Sequence, residues 1–263
     1  MLYPTSLRIF LALTPLVASL LLSGCGEDDA PAAPLLTEEQ LAYFPLELGQ
    51  PRFYRVDSIV LLNEVGGVRY DTATLEARET LVETFTDATG RQWYRGERYE
   101  RPDANAPWRF RQTFTVSRDR STALRREDNL TFTKLTFPLL EGRAWDGNAA
   151  FDDGQFFVLG GEFVAIYADW TYRYSAVGQP LTLRTGLELA ASLRVDQAST
   201  DNLLDLRRAY EVYAPGRGRV ERFIDARSTQ CRNCCGGETT ECLDLPWDVK
   251  AEKGFILHET LLP

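Results

Sequence analysis

The chain of 263 residues carries 38 acidic side chains against 29 basic ones, a net charge of −9, and a single histidine. So acidic a protein offers no field for phosphates, which argues against nucleic acid as a partner. One histidine also excludes a His-rich metal centre, and no glycine-rich phosphate loop stands before a helical pattern; Gly216-Arg217-Gly218 is the nearest candidate.

The first element is an export signal. Arg8 is the only charge before an almost wholly apolar run, Ile9 to Leu22, which ends on Ser23-Gly24-Cys25. That run is shorter than the roughly 20 residues of a membrane span, and Pro15 interrupts it. Leu22-Ser23-Gly24-Cys25 resembles the lipobox of bacterial lipoproteins, which implies acylation of Cys25 and removal of residues 1–24. Cleavage would leave 239 residues (263 − 24) at a net charge of −10 (−9 − 1). Residues 25–34, with Glu27, Asp28, Asp29, Pro31 and Pro34, hold too little apolar surface to fold and read as an acidic tether. An acidic cluster after the lipid cysteine resembles the surface-export signal of Bacteroidota lipoproteins. Gly26 in place of Asp lacks the inner-membrane retention signal of enteric bacteria. The expected address is the outer membrane, facing either the cell surface or the periplasm.

Residues 35–263 read as one β-rich domain. Thr37 followed by Gln40 predicts a short capped helix that Pro45 ends. Period-two alternation then predicts strands over Phe53–Leu62, Val68–Phe85, Arg91–Tyr99, Trp108–Val116, Leu130–Phe137, Phe163–Tyr174, Leu181–Arg194, Ala209–Tyr213 and Arg219–Arg227. In the clearest run Trp108, Phe110, Phe114 and Val116 share one face, with Arg109, Arg111, Thr113 and Thr115 on the other. Turns fall at Gly66-Gly67, Thr89-Gly90, Ala106-Pro107, Gly178-Gln179-Pro180 and Pro215-Gly216, and Thr200 to Arg207 predicts a brief helical turn. His258 lies on an apolar closing strand, Gly254 to Leu262, where a structural role outweighs a catalytic one. The fold class is all-β: a large curved antiparallel sheet or partly closed barrel with a short N-terminal helix. A repeated phrase adds the prospect of two related halves, since Phe44-Pro45-Leu46-Glu47-Leu48-Gly49 returns as Phe137-Pro138-Leu139-Leu140-Glu141-Gly142, 93 residues on (137 − 44).

Tyr43 to Gly49, followed by Tyr54-Arg55-Val56-Asp57-Ser58-Ile59, resembles the opening of uncharacterised Bacteroidota outer-membrane lipoproteins, in which F-P-L-x-x-G precedes W-x-Y-x-V-D-S-I. Tyr213 to Val220 is similar to a turn near the C-termini of those relatives. The likeness touches the start and end of the domain and leaves its middle uncovered. It implies lipidation and a β-rich fold, and it carries no activity. Arg52 stands where the family has Trp, which bears on how deeply the first strand packs; Trp145 occupies the equivalent step of the second copy.

Cys231, Cys234, Cys235 and Cys242 form a C-x2-C-C-x6-C cluster. In an oxidising compartment two disulfides are the leading reading. Either Cys231–Cys234 with Cys235–Cys242 or Cys231–Cys235 with Cys234–Cys242 satisfies it. A zinc ribbon would need a second C-x-x-C knuckle. Asp152-Asp153-Gly154 and Glu127-Asp128-Asn129 could bind calcium or supply a glycosidase pair, but the full calcium-loop spacing is absent and such residues are common in turns. Trp93, Trp108, Trp145, Trp170 and Trp247 could form a sugar platform, although most sit where core packing is expected. The expectation is therefore a membrane-anchored binding or scaffolding module without enzymatic activity or cofactor, touching the bilayer through Cys25 and an unknown protein, glycan or apolar ligand. The alternatives are a half-barrel carrier of an apolar ligand and a carboxylate-based hydrolase.

Overall fold

The computed structural model describes residues 36–230 and 244–263. Cys25, the tether and the four clustered cysteines lie outside them. Helix α1 (Glu38–Leu41) is capped by Thr37, whose hydroxyl accepts from Gln40 N. Twelve of the fourteen strands among the described residues then build a single antiparallel sheet. The first six are β1 (Pro51–Glu64), β2 (Gly67–Thr86), β3 (Gln92–Arg101), β4 (Arg109–Arg118), β5 (Thr122–Glu127) and β6 (Leu130–Thr136). After β7 (Ala144–Trp145) come a separate hairpin of β8 (Phe157–Leu159) and β9 (Glu162–Val164), then β10 (Tyr172–Thr182), β11 (Glu188–Asp201), β12 (Asp205–Ala214) and β13 (Gly218–Ser228). Helix α2 (Trp247–Lys250) leads into β14 (Lys253–Leu261).

The sheet runs β6-β5-β4-β3-β2-β1-β14-β13-β12-β11-β10-β7, so β1 pairs with the last strand and the free edges are β6 and β7. Side chains and single backbone bonds bridge those edges and nearly close a barrel. Thr133 N donates to Gly147 O (2.8 Å), and Trp145 Nε1 donates to Thr133 O (2.8 Å). The Tyr174 hydroxyl accepts from Thr136 N (2.8 Å) and donates to Thr136 O (2.9 Å), doing for β6 what a neighbouring strand would do.

The two Phe-Pro phrases open equivalent units. Gly49 N donates to Leu81 O and Gly142 N to Tyr174 O, each acceptor 32 residues on (81 − 49 and 174 − 142). Both glycines hold nearly the same left-handed φ, +78° and +76°. Pairs Pro51↔Thr80 and Arg52↔Glu79 become Ala144↔Arg173 and Trp145↔Tyr172 when 93 is added to each number. Six sheet strands follow each phrase, and the two runs succeed one another head to tail.

Both ends of the barrel are covered. At one, Leu41, Tyr43 and Phe44 join the core, while Arg118 Nη1 donates to Phe44 O (2.9 Å) and Gly216 N to Ala42 O (2.8 Å). At the other, residues 146–171 bring Phe151, Phe157, Tyr167 and Trp170 into edge-to-face contacts that also take in Phe132.

Several local expectations are corrected. Phe163–Tyr174 is not one strand: β9 ends at Val164, and residues 165–171 belong to the end cover. Strand β10 passes through Gly178-Gln179-Pro180 instead of turning there, because its pairing with β11 shifts register on both sides of Gln179 and so spares the proline a ladder bond. The turn comes later, with Gly186 N donating to Leu183 O. Thr200 to Arg207 forms no helical turn. The Asn202 side chain instead accepts from Leu204 N and Asp205 N and links β11 to β12. Strand β5 escaped prediction.

Phe110 also changes side. Arg98 pairs with Gln112 but Tyr99 with Phe110, so Arg111 is an extra residue in β4. This bulge leaves Phe114 and Val116 buried while Phe110 turns outward, 57% exposed.

Removing the hydroxyl that seals the seam should be measurable. Tyr174→Phe leaves a buried edge N–H without an acceptor and should cost about 1–3 kcal/mol. Urea unfolding should show a lower midpoint at an unchanged m-value.

Candidate functional site: a charged barrel interior

The inward faces of seven strands carry charge to the centre of the barrel. Glu79 on β2 takes both terminal nitrogens of Arg125 on β5 (2.9 and 3.0 Å) and Nη1 of Arg98 on β3 (3.1 Å). Arg98 Nη2 reaches Glu259 on β14 (2.7 Å), whose other oxygen takes Arg219 Nη2 from β13 (3.0 Å). Arg125 Nε also holds Glu127 (2.8 Å), which lies 3.4 Å from Arg222. Lys134 on β6 meets Glu211 on β12 at 2.9 Å, across the β6–β7 seam, and Tyr213 donates to the second Glu211 oxygen (2.7 Å). Five cations (Arg98, Arg125, Lys134, Arg219, Arg222) thus face four carboxylates (Glu79, Glu127, Glu211, Glu259). The half-buried Glu100 adds a further anion, bound to Arg98 Nε at 2.8 Å.

This electrostatic setting holds the acids ionised. Burial alone would raise each carboxyl, but the facing guanidinium and ammonium groups prevail: Glu211 falls to about 2, and Glu79, Glu127 and Glu259 also lie below the ordinary range. Burial pushes the Lys134 ammonium down against the pull of Glu211. Every described carboxyl with a resolved shift moves downward, including the more exposed Asp57, Asp87, Glu97, Asp119 and Asp201. No such group is poised as the proton donor that acid-catalysed hydrolysis requires.

The interior is filled. A hollow of about 50 Å³ lies between the Phe44-Pro45 cover and the charged layer. Larger spaces of about 320 and 780 Å³ are grooves beside β9 and along the outer face of β10–β13.

The sites anticipated from sequence are dispersed. Glu127 belongs to the buried network, while Asp128 and Asn129 make the positive-φ turn between β5 and β6. Asp152 accepts from Gly154 N (3.0 Å) as an ordinary turn residue. Among the described residues no group of three or more His, Cys, Asp or Glu is arranged to hold a metal ion. His258 meets Glu221 at 2.5 Å and sets its ring edge-on to Phe223, a partly buried pair rather than part of a triad. Gly216-Arg217-Gly218 is the tight turn between β12 and β13. The tryptophans form no single platform: Trp93 and Trp170 are buried, and Trp145 packs at the seam. Trp108 lies over an outward cross-strand row of Phe53, Arg78, Tyr99 and Phe110. Cys25, Cys231, Cys234, Cys235 and Cys242 fall outside the described residues.

The interior network was missed because a charged residue on an alternating strand is ordinarily assigned to the solvent face. A signal was present: Arg98-x-Glu100 and Arg125-x-Glu127 repeat an i, i+2 pairing that places opposite charges on one face of a strand. Compared with known proteins, the chain matches no family model, no curated protein and no solved structure.

Two outcomes test the network. Glu211→Gln should cost about 3–5 kcal/mol by leaving Lys134 buried without its partner. Lys134→Met/Glu211→Gln should then cost less than the sum of the single changes in chemical denaturation. The depressed carboxyls contribute stability that is complete above their unfolded value near 4.5 and is lost as pH falls toward about 2. Circular dichroism should therefore record a cooperative acid transition in that window.

Proposed function

We propose that this protein is a lipoprotein, tethered through acylated Cys25 to the outer membrane, whose barrel acts as a non-enzymatic binding or scaffolding module. The observation that carries this reading is the filled interior. A carrier of an apolar ligand needs an apolar cavity of several hundred Å³, whereas the interior hollow measures about 50 Å³ and has Arg125, Arg219 and Glu79 in its wall. A carboxylate-based hydrolase is disfavoured by the downward shifts of the acids. Recognition is then left to the exterior and the rims. There, Trp108 with Tyr99, Arg78 and Phe110 supplies the aromatic and guanidinium composition of interface hot spots. The lipobox-like phrase and the acidic tether support the address, and the likeness to Bacteroidota lipoproteins agrees with both.

Expression in a lipoprotein-processing bacterium fed labelled palmitate tests the anchor. The native chain should take up label and yield a mature species beginning at Cys25, and Cys25→Ser should take up none. Label retained by the Ser variant, or an unlipidated native protein, would refute the reading.

A further inference from the structure

The 93-residue correspondence between the two units exposes one corner where they differ. In the second unit Trp145 packs on Tyr172 and Tyr174, with ring centroids 5.7 and 4.5 Å away, and fills the space. The equivalent residues of the first unit are Arg52, Glu79 and Leu81, and the hollow of about 50 Å³ lies against all three. Gly218, at φ +71°, keeps the place open: a Cβ there would come 3.3 Å from Pro45 and 3.9 Å from the Arg52 guanidinium carbon.

The wall is short of negative charge. Three guanidinium groups, Arg52, Arg125 and Arg219, line the hollow with one carboxylate, Glu79. Arg125 spends its donors on Glu79 and Glu127. Buried Arg219 pairs with Glu259 through Nη2, yet its Nε and Nη1 have no hydrogen-bond acceptor, the Glu211 carboxylate standing 3.7 Å from Nη1. Half-buried Arg52 forms no hydrogen bond or ion pair with another described residue. An orphaned guanidinium N–H inside a protein is costly, and the unpaired guanidinium of Arg52 on the same hollow adds repulsion. Deeper in, Glu79, Glu127, Glu211 and Glu259 are each already engaged by a cation of the network.

We propose that this hollow is a binding site for a small oxyanion group, a phosphate, sulfate or carboxylate, held between Arg52 at the mouth and Arg219 within. Guanidinium groups suit such anions because their planar N–H array matches two oxygens at once. The space admits one such group and not a bulky ligand. The anion therefore enters as a free ion or as the charged terminus of a larger molecule whose remainder stays outside. The site rests on barrel residues alone and stands or falls apart from the lipid anchor.

Thermal unfolding of the full chain, with phosphate, sulfate, acetate or chloride at matched ionic strength, tests it. At least one oxyanion should raise Tm saturably by about 3 °C over chloride, the scale of a ligand held at several times its Kd. Arg52→Gln breaks no ion pair and should fold normally, yet it should lose most of that rise. Arg52→Trp rebuilds the aromatic filling of the second unit and should abolish it. A rise that follows ionic strength alone, or one equal in Arg52→Gln and the native chain, would overturn the proposal. The Arg219 Nε–H resonance gives a reading that needs no variant: titration with the same oxyanion should shift it saturably, and an unmoved resonance at saturation would also overturn the site.

Discussion

A guanidinium withdrawn from water needs an anion within hydrogen-bond reach, and the charged interior of this barrel gathers four together with an ammonium. The rest of the structure follows from meeting that demand. Arg98, Arg125, Arg219 and Arg222 come from three strands, and the carboxylates that answer them come from β2, β5, β12 and β14. The pairs form only when each strand keeps its register, since a slip of one residue would turn an arginine outward and strand its partner. An apolar interior tolerates small sliding; a charged one does not. The network is thus better read as a device that specifies the arrangement than as a large source of stability, because burying ions offsets most of what pairing them contributes.

The same demand explains the covers at the two ends. Water entering the lumen would solvate the ions and weaken every pair in it. Leu41, Tyr43 and Phe44 close one end and the aromatic group of residues 146–171 closes the other, so the charged layer lies between apolar layers. The seam between β6 and β7 is the remaining weakness. Lys134 and Glu211 join across it inside, while Tyr174 and Trp145 meet the backbone of β6. An edge strand that would otherwise invite a foreign strand is thereby occupied by the protein's own side chains.

The sequence shows the architecture more plainly than the interior. Alternation in β1, β2, β3 and β13 locates the strands within a few residues, and Thr37 marks the helix start. Strand β5, Thr-Ala-Leu-Arg-Arg-Glu, hid because its inward residues include Arg125 and Glu127, so no apolar alternation survives. Phe110 was misplaced because an inserted residue cannot be seen in periodicity alone; Arg111 is a bulge only by virtue of the partner strand. The charged layer was illegible for a related reason. Whether a cation on a strand faces water or a glutamate is decided by strands distant in the chain, as Lys134 and Glu211, 77 residues apart, illustrate.

Correspondence between the two units shows where this chain has room to differ from itself. Their glycine turns and first strand pairs coincide under a single offset, so the backbone constraint is met twice in the same way. The side chains at the matching corner diverge completely. Trp145, Tyr172 and Tyr174 form the hydrogen bonds and packing that close the seam, a task absent from the other corner because β1 is paired on both sides. Freed from sealing an edge, that corner can carry Arg52 and Glu79, and Glu79 is the carboxylate on which Arg98 and Arg125 converge. One copy of the motif therefore closes the barrel and the other feeds its charged interior. The asymmetry follows from there being one seam for two copies.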